Sequence, residues 1–289
     1  MDIRKRLLPA GWYPDTEGEI RKMIEEWGGL PRRKVRSAVS GVAPHAGWFF
    51  SGELAWQTIS AIDADSETIA VIGGHLGFRD RVKAPAESGF RTPLGLIERD
   101  DELLAYLAEE IDIGADRDID NTVEIQIPLV RYAFPAAKVL WLRCPPNEQA
   151  ILAGKRLAAA AKELGRRIAV VGSTDLTHYG ESYGFEPAGH GTRGLSWMRD
   201  INDRRFIDAL LNMDAREIIQ RGAGEHSACS AGAAAAAVSF ASASFAAAAI
   251  GADVTGSKGD LLAYATSYDK HPGDSFVGYA SVVYRPPAS

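Results

Sequence analysis

The sequence predicts one α/β domain over residues 1–289, in which a mostly parallel central sheet is flanked by helices. Three observations carry this prediction. Short β-branched runs recur along the chain, helical stretches separate them, and no Pro/Gly/Ser-rich linker or internal repeat divides the chain. Strands that alternate with helices are typical of βαβ units, whose strands lie parallel. A chain of 289 residues, 46% of them hydrophobic, is long enough to bury a sizeable core.

Each element of this pattern can be located in the sequence. The predicted strands of the parallel sheet are KVRSAVSGVA (34–43), ETIAVIGG (67–74), AKVLWLRC (137–144) and RRIAVVGS (166–173). The predicted helices span residues 52–62, 101–111, 122–133, 148–164, 194–211 and 230–249. Two further strands, LLAYATSYD (261–269) and SFVGYASVVYR (275–285), follow near the end, and we expect them to pair at or near the sheet edge.

The composition excludes several classes of function. The formal net charge is -6 without basic blocks, which argues against binding to nucleic acid or to an anionic membrane surface. Two cysteines, Cys144 and Cys229, do not make a disulfide framework and fit a reducing compartment. The basic N-terminus lacks a hydrophobic run of signal-peptide length, so we expect a cytoplasmic protein.

One long stretch without charged residues raises the question of a membrane span. Residues 226–252 contain no Asp, Glu, Lys or Arg, and alanine, serine and glycine dominate the run. Alanine contributes little transfer free energy, whereas spanning helices usually need ~20 strongly apolar residues. We therefore expect a helix packed on both sides inside the domain, where small side chains allow close approach.

Polar residues follow three of the predicted strands at the point where each strand ends. The first strand leads to His45, the second to His75, and the fourth to Asp175 and His178. In an open α/β sheet, ligands bind outside the carboxyl ends of the strands. A lone histidine in such a position more often hydrogen-bonds a neighbouring backbone group. Three on one edge favour a metal site, because imidazole is a common ligand of iron, copper and zinc.

The residues alone leave two candidates for a third ligand. Glu124, in DNTVEIQIPLV, lies in a predicted helix, either buried for a purpose or at the boundary of its apolar face. Cys229 precedes the long Ala-rich helix, where a helix N-terminus and nearby cations lower a thiol pKa. Its other interpretation is a small buried apolar residue. Cys144, between a strand and two prolines, is interpreted as structural.

Other catalytic motifs are missing from the sequence. Ser173 is not followed by the glycine of a G-x-S-x-G nucleophile elbow. There is no phosphate-binding G-x-x-x-x-G-K-[ST] loop. The glycines of GGHLGF have the wrong spacing for a dinucleotide-binding fingerprint.

The order of several motifs resembles the Memo family, whose prokaryotic members are also called AmmeMemoRadiSam system protein B. The motifs are AGWYP, PHAGWFFSG, IGGH, NTVEIQIPL, STDLTHYG and a late single cysteine, and the resemblance runs from Pro9 to about Val283. It implies a fold similar to that of class III extradiol dioxygenases, which use non-haem iron. It further implies a metal site of His45, His75 and Cys229, with Asp175 and His178 beside the metal and Glu124 nearby.

The sequence departs from the family pattern at three places near these motifs. Asn121 stands where the family often has a histidine, three residues before the glutamate. Gly74 replaces the Asn or Ser that many members have before the second histidine. Ser230 and Ala231 follow the cysteine, where many members read Cys-Gly. We expect these changes to leave the proposed ligands in place and to alter the shape and polarity of the substrate pocket.

Together these residues predict a metal-dependent oxidoreductase that acts on a small molecule of unidentified structure. Fe(II) is the favoured metal, with Cu or Zn as alternatives, because two histidines and a thiolate or carboxylate leave positions open for dioxygen and a chelating substrate. His178 is expected to move protons and Asp175 to orient an imidazole, with Glu124 as a third catalytic candidate.

Aromatic residues beside the motifs have two interpretations. Trp48, Phe49 and Tyr179 either form a wall around a planar substrate or belong to the core.

Two further functions also remain compatible with the sequence. One is a non-catalytic adaptor that binds a protein partner through the retained fold. The other is a metal-assisted hydrolase with His178 as base.

Overall fold

The computed structural model describes residues 2–248 and 258–286. The strands are β1 (Ile3–Arg4), β2 (Ser40–Ala43), β3 (Thr68–Gly73), β4 (Val82–Pro85), β5 (Gly89–Thr92), β6 (Gly95–Glu98), β7 (Ile113–Asp116), β8 (Lys138–Arg143), β9 (Ile168–Ser173), β10 (His178–Tyr179), β11 (Asp260–Thr266) and β12 (Phe276–Tyr284). The α-helices are α1 (Glu17–Glu26), α2 (Trp48–Ala61), α3 (Asp101–Ala108), α4 (Asn121–Glu124), α5 (Ile127–Ala133), α6 (Glu148–Glu163), α7 (Gly191–Trp197), α8 (Arg204–Leu211), α9 (Ala215–Gly224), α10 (Ala231–Ala248) and α11 (Ser267–Lys270). The predicted domain 1–289 includes residues 249–257 and both chain ends, which lie outside the described residues.

A nine-stranded sheet forms the centre of the molecule, in the order β10-β12-β2-β9-β3-β8-β4-β7, with β11 paired to β12. Strands β2, β9, β3 and β8 are mutually parallel, which confirms the predicted α/β class and a parallel centre. The flanks are antiparallel: β12 runs against β2, and β4 runs against β8. A separate sheet of three short strands, β1-β5-β6, was not predicted, because its strands are only two to four residues long.

The chain pairs its two late strands as expected, but their positions differ from the prediction. β11 and β12 are antiparallel neighbours, and β11 ends at Thr266, where a capping box begins the short helix α11. β12 is buried along its whole length, and it pairs with β2, β10 and β11. Of the two late strands, β12 is therefore an inner strand, and β11 lies at an edge.

The Ala-rich helix α10 is a core helix, as the sequence predicts. By length and composition it is apolar enough to cross a membrane, but 67% of it is buried inside the fold. It packs so closely on α6 and β9 that a Cβ atom at Gly154 would lie 2.2 Å from the Ala236 carbonyl oxygen. A Cβ atom at Gly172 would lie 2.5 Å from the Ala233 carbonyl oxygen. Small residues on both sides therefore make this contact possible.

Two predicted helices are interrupted. The helix predicted over 122–133 divides into α4 and α5, with Pro128 in the first turn of α5, where its missing N–H costs no hydrogen bond. The helix predicted over 194–211 forms α7 and α8, joined by a π-helical segment from Met198 to Asp203. Such π segments are frequent at functional sites.

The carboxyl ends of the four parallel strands lie at one edge of the sheet. Ala43 is in register with Ser173, and Gly73 is in register with Arg143. The residues that follow these positions therefore emerge side by side, and this edge carries the site.

Candidate metal centre

The structure brings His45, His75 and Cys229 together. One ligand atom from each residue lies within 4.8 Å of the other two. The His45 Nε2 atom is 3.1 Å from the Cys229 Sγ atom. The histidines follow β2 and β3, and Cys229 lies just before α10, so elements far apart in sequence supply these three side chains. We call this group the His/His/Cys cluster.

His45 is held by uncharged partners and one carboxylate, and its side chain is buried. The His45 Nδ1 atom lies 3.2 Å from the Ser173 hydroxyl, which leaves Nε2 facing the thiol. The His45 backbone N–H donates to the Asp175 carboxylate at 2.6 Å. Gln126 donates to the Pro44 carbonyl and, at 3.1 Å, to the same Ser173 hydroxyl. The ring is thus fixed from the sheet side.

His75 is held differently, by a backbone clamp and an ion-paired carboxylate. Its backbone is in the left-handed region with φ of 55°, which is uncommon for a residue other than glycine. Its Nδ1 atom lies 2.9 Å from the Asp120 carboxylate. Arg143 donates to the Gly74 carbonyl at 2.8 Å and to the His75 carbonyl at 3.3 Å. The Nε2 atom is therefore left for the cluster.

Asp175 and His178 lie beside the cluster, as the sequence predicts. The Asp175 Oδ2 atom is 4.0 Å from His45 Nε2 and 3.9 Å from His178 Nε2. The His178 Nε2 atom is buried and has no hydrogen-bond partner among the described residues. Burial lowers the pKa of His178, but the nearby Asp175 carboxylate and Cys229 sulfur outweigh it and raise that pKa to about 10. His178 is therefore a proton-carrying group at neutral pH when the metal is absent.

The Cys229 thiol is favoured as a thiolate. Burial raises its pKa, but the positive imidazoles of His45, His178 and His75 outweigh burial and hold the pKa well below its ordinary value. Cys144 is the contrasting case, since burial alone raises its pKa to about 12. The two cysteines therefore differ in environment: Cys229 lies among imidazoles, whereas Cys144 is buried in the core.

A cleft of about 730 Å³ opens onto the histidines. Its wall includes His45, His75, Asp175 and His178, with aromatic residues Trp12, Phe49, Phe50, Tyr183 and Tyr279 and polar residues Asn121, Ser267, His271 and Ser275. We call it the main cleft. Its volume is in the range of pockets that bind small organic molecules.

Only one of the three predicted wall aromatics faces the main cleft. Phe49 lines the cleft and is 63% exposed. Trp48 is buried, packs against Tyr13 and Trp27, and donates its indole N–H to the Ile125 carbonyl. Tyr179 is also buried, and its ring stacks on Phe276. The last two residues are therefore core residues.

A second cleft of about 290 Å³ reaches the cluster from another direction. His75, Cys229 and His226 are among its lining residues, whereas Cys229 does not line the main cleft. His75 therefore borders both clefts, whereas His45 borders only the main cleft and Cys229 only the second one.

Glu124 does not join the cluster. Its two carboxylate oxygens accept hydrogen bonds from the backbone N–H groups of Leu7 and Leu8 and from the Tyr13 hydroxyl. It is buried and does not line the main cleft. This placement does not support the predicted catalytic role. Glu124 instead anchors the segment 7–13, whose residues Gly11 and Trp12 form part of the cleft wall.

The residues that depart from the family pattern lie beside the cluster and contact its neighbours. Asn121 donates its side-chain amide to the His45 carbonyl at 2.9 Å and lines the main cleft. Gly74 and Ser230 face each other, and a Cβ atom at Gly74 would lie 2.5 Å from the Ser230 Cβ atom. The loss of a side chain at position 74 therefore makes room for the serine that follows Cys229.

Sequence reasoning missed Asp120, Arg143 and Ser173 as members of the site. The alternation DRDID places Asp116, Asp118 and Asp120 on one side of an extended segment, facing the guanidinium of Arg143. That spacing was a usable signal. The role of Arg143 was hidden because an arginine at a strand end is ordinary until its partners are known.

The residues of the cluster fit a transition-metal ion. Imidazole nitrogen and thiolate sulfur are ligands of zinc, copper and iron. Tetrahedral nitrogen and sulfur ligands of one zinc ion, at ~2.0 and ~2.3 Å from it, lie roughly 3.5 Å apart. The His45 Nε2 and Cys229 Sγ atoms are 3.1 Å apart, and all three ligand atoms lie within 4.8 Å of one another. Each histidine also has its Nδ1 atom held by a neighbour, as metal-ligating histidines usually do.

Comparisons with known proteins identify the family of this chain. A family model described as Memo-like protein matches residues 4–283. A MEMO1 family protein of Pyrococcus furiosus is 30% identical over 98% of this chain and 99% of its own length. A MEMO1 family protein of Methanopyrus kandleri is 31% identical over 98% of this chain and 99% of its own length. A crystal structure of an uncharacterized protein from Escherichia coli K12 matches 80% of this chain and 90% of its own, with 13% sequence identity and a TM-score of 0.47. This chain belongs to the Memo family.

Proposed function

We propose that this protein is a metal-dependent oxidoreductase, dioxygenase-like in its chemistry, that acts on a small molecule in the main cleft. One observation carries the proposal: His45, His75 and Cys229 converge, and both histidines line a cleft large enough for an organic substrate. When bound, iron or copper supplies open coordination positions at which dioxygen and a chelating substrate meet. Fe(II) is the favoured metal, and copper and zinc are the alternatives.

The other residues of the cleft have roles that follow from their contacts. His178 presents an unpartnered Nε2 atom beside Asp175, so it holds a proton that a bound substrate can accept, or takes one from it. Asp175 fixes the backbone of His45. Phe49 and Tyr183 line the cleft, and the Tyr183 ring lies 4.9 Å from the His178 ring. We place this activity in the cytoplasm because both cysteines are free thiols.

The first experiment is metal analysis of protein purified anaerobically without a histidine tag. We expect near-stoichiometric iron or copper in the wild type and its loss in His75→Gln and Cys229→Ser. His190→Gln is the matched control, because that histidine is exposed and pairs only with Glu186 among the described residues. A wild type that binds none of Fe(II), Cu or Zn would overturn the proposal and favour a metal-independent adaptor.

Oxygen consumption separates the oxidoreductase from a hydrolase. We expect the metal-loaded wild type to consume dioxygen with at least one member of a panel of catechols and related chelating molecules, and His75→Gln to consume none. Substrate conversion without dioxygen consumption would instead support metal-assisted hydrolysis with His178 as base.

A further inference from the structure

The conformation of His75 requires a device that holds it. A left-handed backbone is unfavourable for an L-residue, so such a conformation persists only where the surroundings fix it. Four contacts do so here. The Gly74 N–H donates to the Thr122 hydroxyl at 3.2 Å. The Arg143 guanidinium donates to the Gly74 and His75 carbonyls, and the Asp120 carboxylate lies in hydrogen-bond contact with the His75 ring.

Arg143 and Asp120 belong to one buried ionic network. Arg143 is only 4% exposed, and its guanidinium contacts Asp116 at 3.1 Å, Asp118 at 2.9 Å and Asp120 at 3.6 Å. A buried guanidinium needs such compensation, because removing it from water is costly. The planar fork of arginine also reaches two carbonyl groups at once, which an ammonium group does less well. The network is therefore built around the backbone of residues 74 and 75.

We propose that Arg143 and Asp120 are positioning residues that aim the His75 Nε2 atom at Cys229 and thereby set the metal affinity of the cluster. The inference rests on the proposed function, because it assumes that the cluster binds a metal. Arg143 does not line the main cleft, so it acts through His75. A carboxylate on the far nitrogen of a metal-ligating histidine fixes the ring and strengthens it as a ligand.

The test compares Asp120→Asn with Asp118→Asn. Each substitution removes one carboxylate from Arg143, but only Asp120 contacts the His75 ring. Asp120→Asn is expected to fold, because Asn also caps a helix well and can keep the hydrogen bond to the Thr122 N–H that begins α4. The probe is Co(II), with affinity measured by competition titration and geometry by its visible absorption spectrum.

We expect Asp120→Asn to weaken Co(II) binding ~10–100-fold and to change the spectrum, with Asp118→Asn within about threefold of the wild type. Arg143→Lys should weaken binding in the same direction. Equal affinities and spectra for Asp120→Asn and the wild type would overturn the inference. Failure of the wild type to bind Co(II), Fe(II), Cu or Zn would instead overturn the proposed function.

If the wild type binds none of these metals, the role of Asp120 in holding the His75 ring can still be tested without metal. The Nδ1–H group of His75 donates to a carboxylate, so its proton signal should be downfield and slow to exchange in NMR spectra of the wild type. We expect this signal to shift or broaden in Asp120→Asn and to persist in Asp118→Asn. An unchanged signal in Asp120→Asn would show that Asp120 does not hold the ring.

Discussion

The two histidines of the cluster are ligand candidates of the same kind, but the chain supports them by different physical means. The His45 side depends on buried hydrogen bonds among Ser173, Gln126 and the backbone, with Asp175 as its one carboxylate. On the His75 side, the backbone adopts a left-handed conformation, and contacts with Arg143 and Asp120 hold the residue in it. The His45 loop is thus held by neighbours in the parallel sheet, whereas the His75 loop is held by charged side chains.

This difference makes separate demands on the two loops. After β2, the chain needs little beyond Pro44 and an ordinary loop, because β9 lies alongside and supplies the partners. After β3, the backbone at Gly74 lies so close to Ser230 that there is no room for a side chain at position 74. Steric substitutions should therefore harm the His75 side most, and substitutions that remove one hydrogen bond should have smaller effects on the His45 side.

The largest effect is expected for Gly74→Ser. The new Cβ atom would lie 2.5 Å from the Ser230 Cβ atom and 2.8 Å from the Ser230 Cα atom, so neighbouring backbone must shift. We expect a loss of about 3 kcal/mol in the free energy of unfolding, measured by chemical denaturation. Ser230→Gly in the same chain should recover more than half of that loss, because it removes the opposing Cβ atom. Additive effects of the two substitutions would contradict this steric coupling.

Gly47→Ala is the matched control on the His45 side. The nearest atom to a Cβ at Gly47 is the Trp12 carbonyl oxygen at 3.6 Å, which is an ordinary contact. We expect a change within ~1 kcal/mol, because a weaker helix N-cap and a less flexible unfolded chain act in opposite directions. A larger loss would remove the contrast between the two loops.

The same contrast explains which parts of the site could be predicted from the sequence. His45, His75 and Asp175 follow β-branched runs directly, and the shared edge of parallel strands then brings them together. Asp120 and Arg143 meet only because β4 and β7 pair beside β8, and neither short strand has a clear apolar period. Glu124 was placed near the ligands by resemblance, but the anchoring of residues 7–13 depends on a contact more than one hundred residues away in sequence.

An intermediate effect is expected for Asp203, which supports the loop of Asp175 and His178. The buried Asp203 carboxylate accepts hydrogen bonds from the Thr177 N–H and hydroxyl groups and from the Tyr264 hydroxyl. Burial raises the pKa of Asp203 to about 6, although these hydrogen bonds and the nearby charge of His178 lower it. Because the pKa is raised in the folded state, its stabilising contribution is full below the unfolded value near 4 and is lost as the pH rises through about 6.

Asp203→Asn should therefore stabilise the metal-free protein at pH 8 by about 2 kcal/mol, and the gain should shrink towards pH 5. Denaturant unfolding at a series of pH values measures this difference. Asp200→Asn is the control, because that residue is exposed in the same π-helical segment. Parallel pH profiles for Asp203→Asn and the wild type would contradict the assignment of the titrating group to Asp203.

A smaller loss than for Gly74→Ser is expected for Ser173→Ala, which removes the hydroxyl beside His45 Nδ1. Gln126 keeps its hydrogen bond to the Pro44 carbonyl at 2.7 Å, so the loss in the free energy of unfolding should be about 1 kcal/mol. A neutral hydroxyl orients an imidazole less strongly than a carboxylate does, and the sheet still confines the ring. Co(II) affinity should therefore fall less than in Asp120→Asn, in the same competition titration. A larger fall in Ser173→Ala would mean that the buried hydrogen bonds on the His45 side, and not the ionic clamp on the His75 side, limit metal binding.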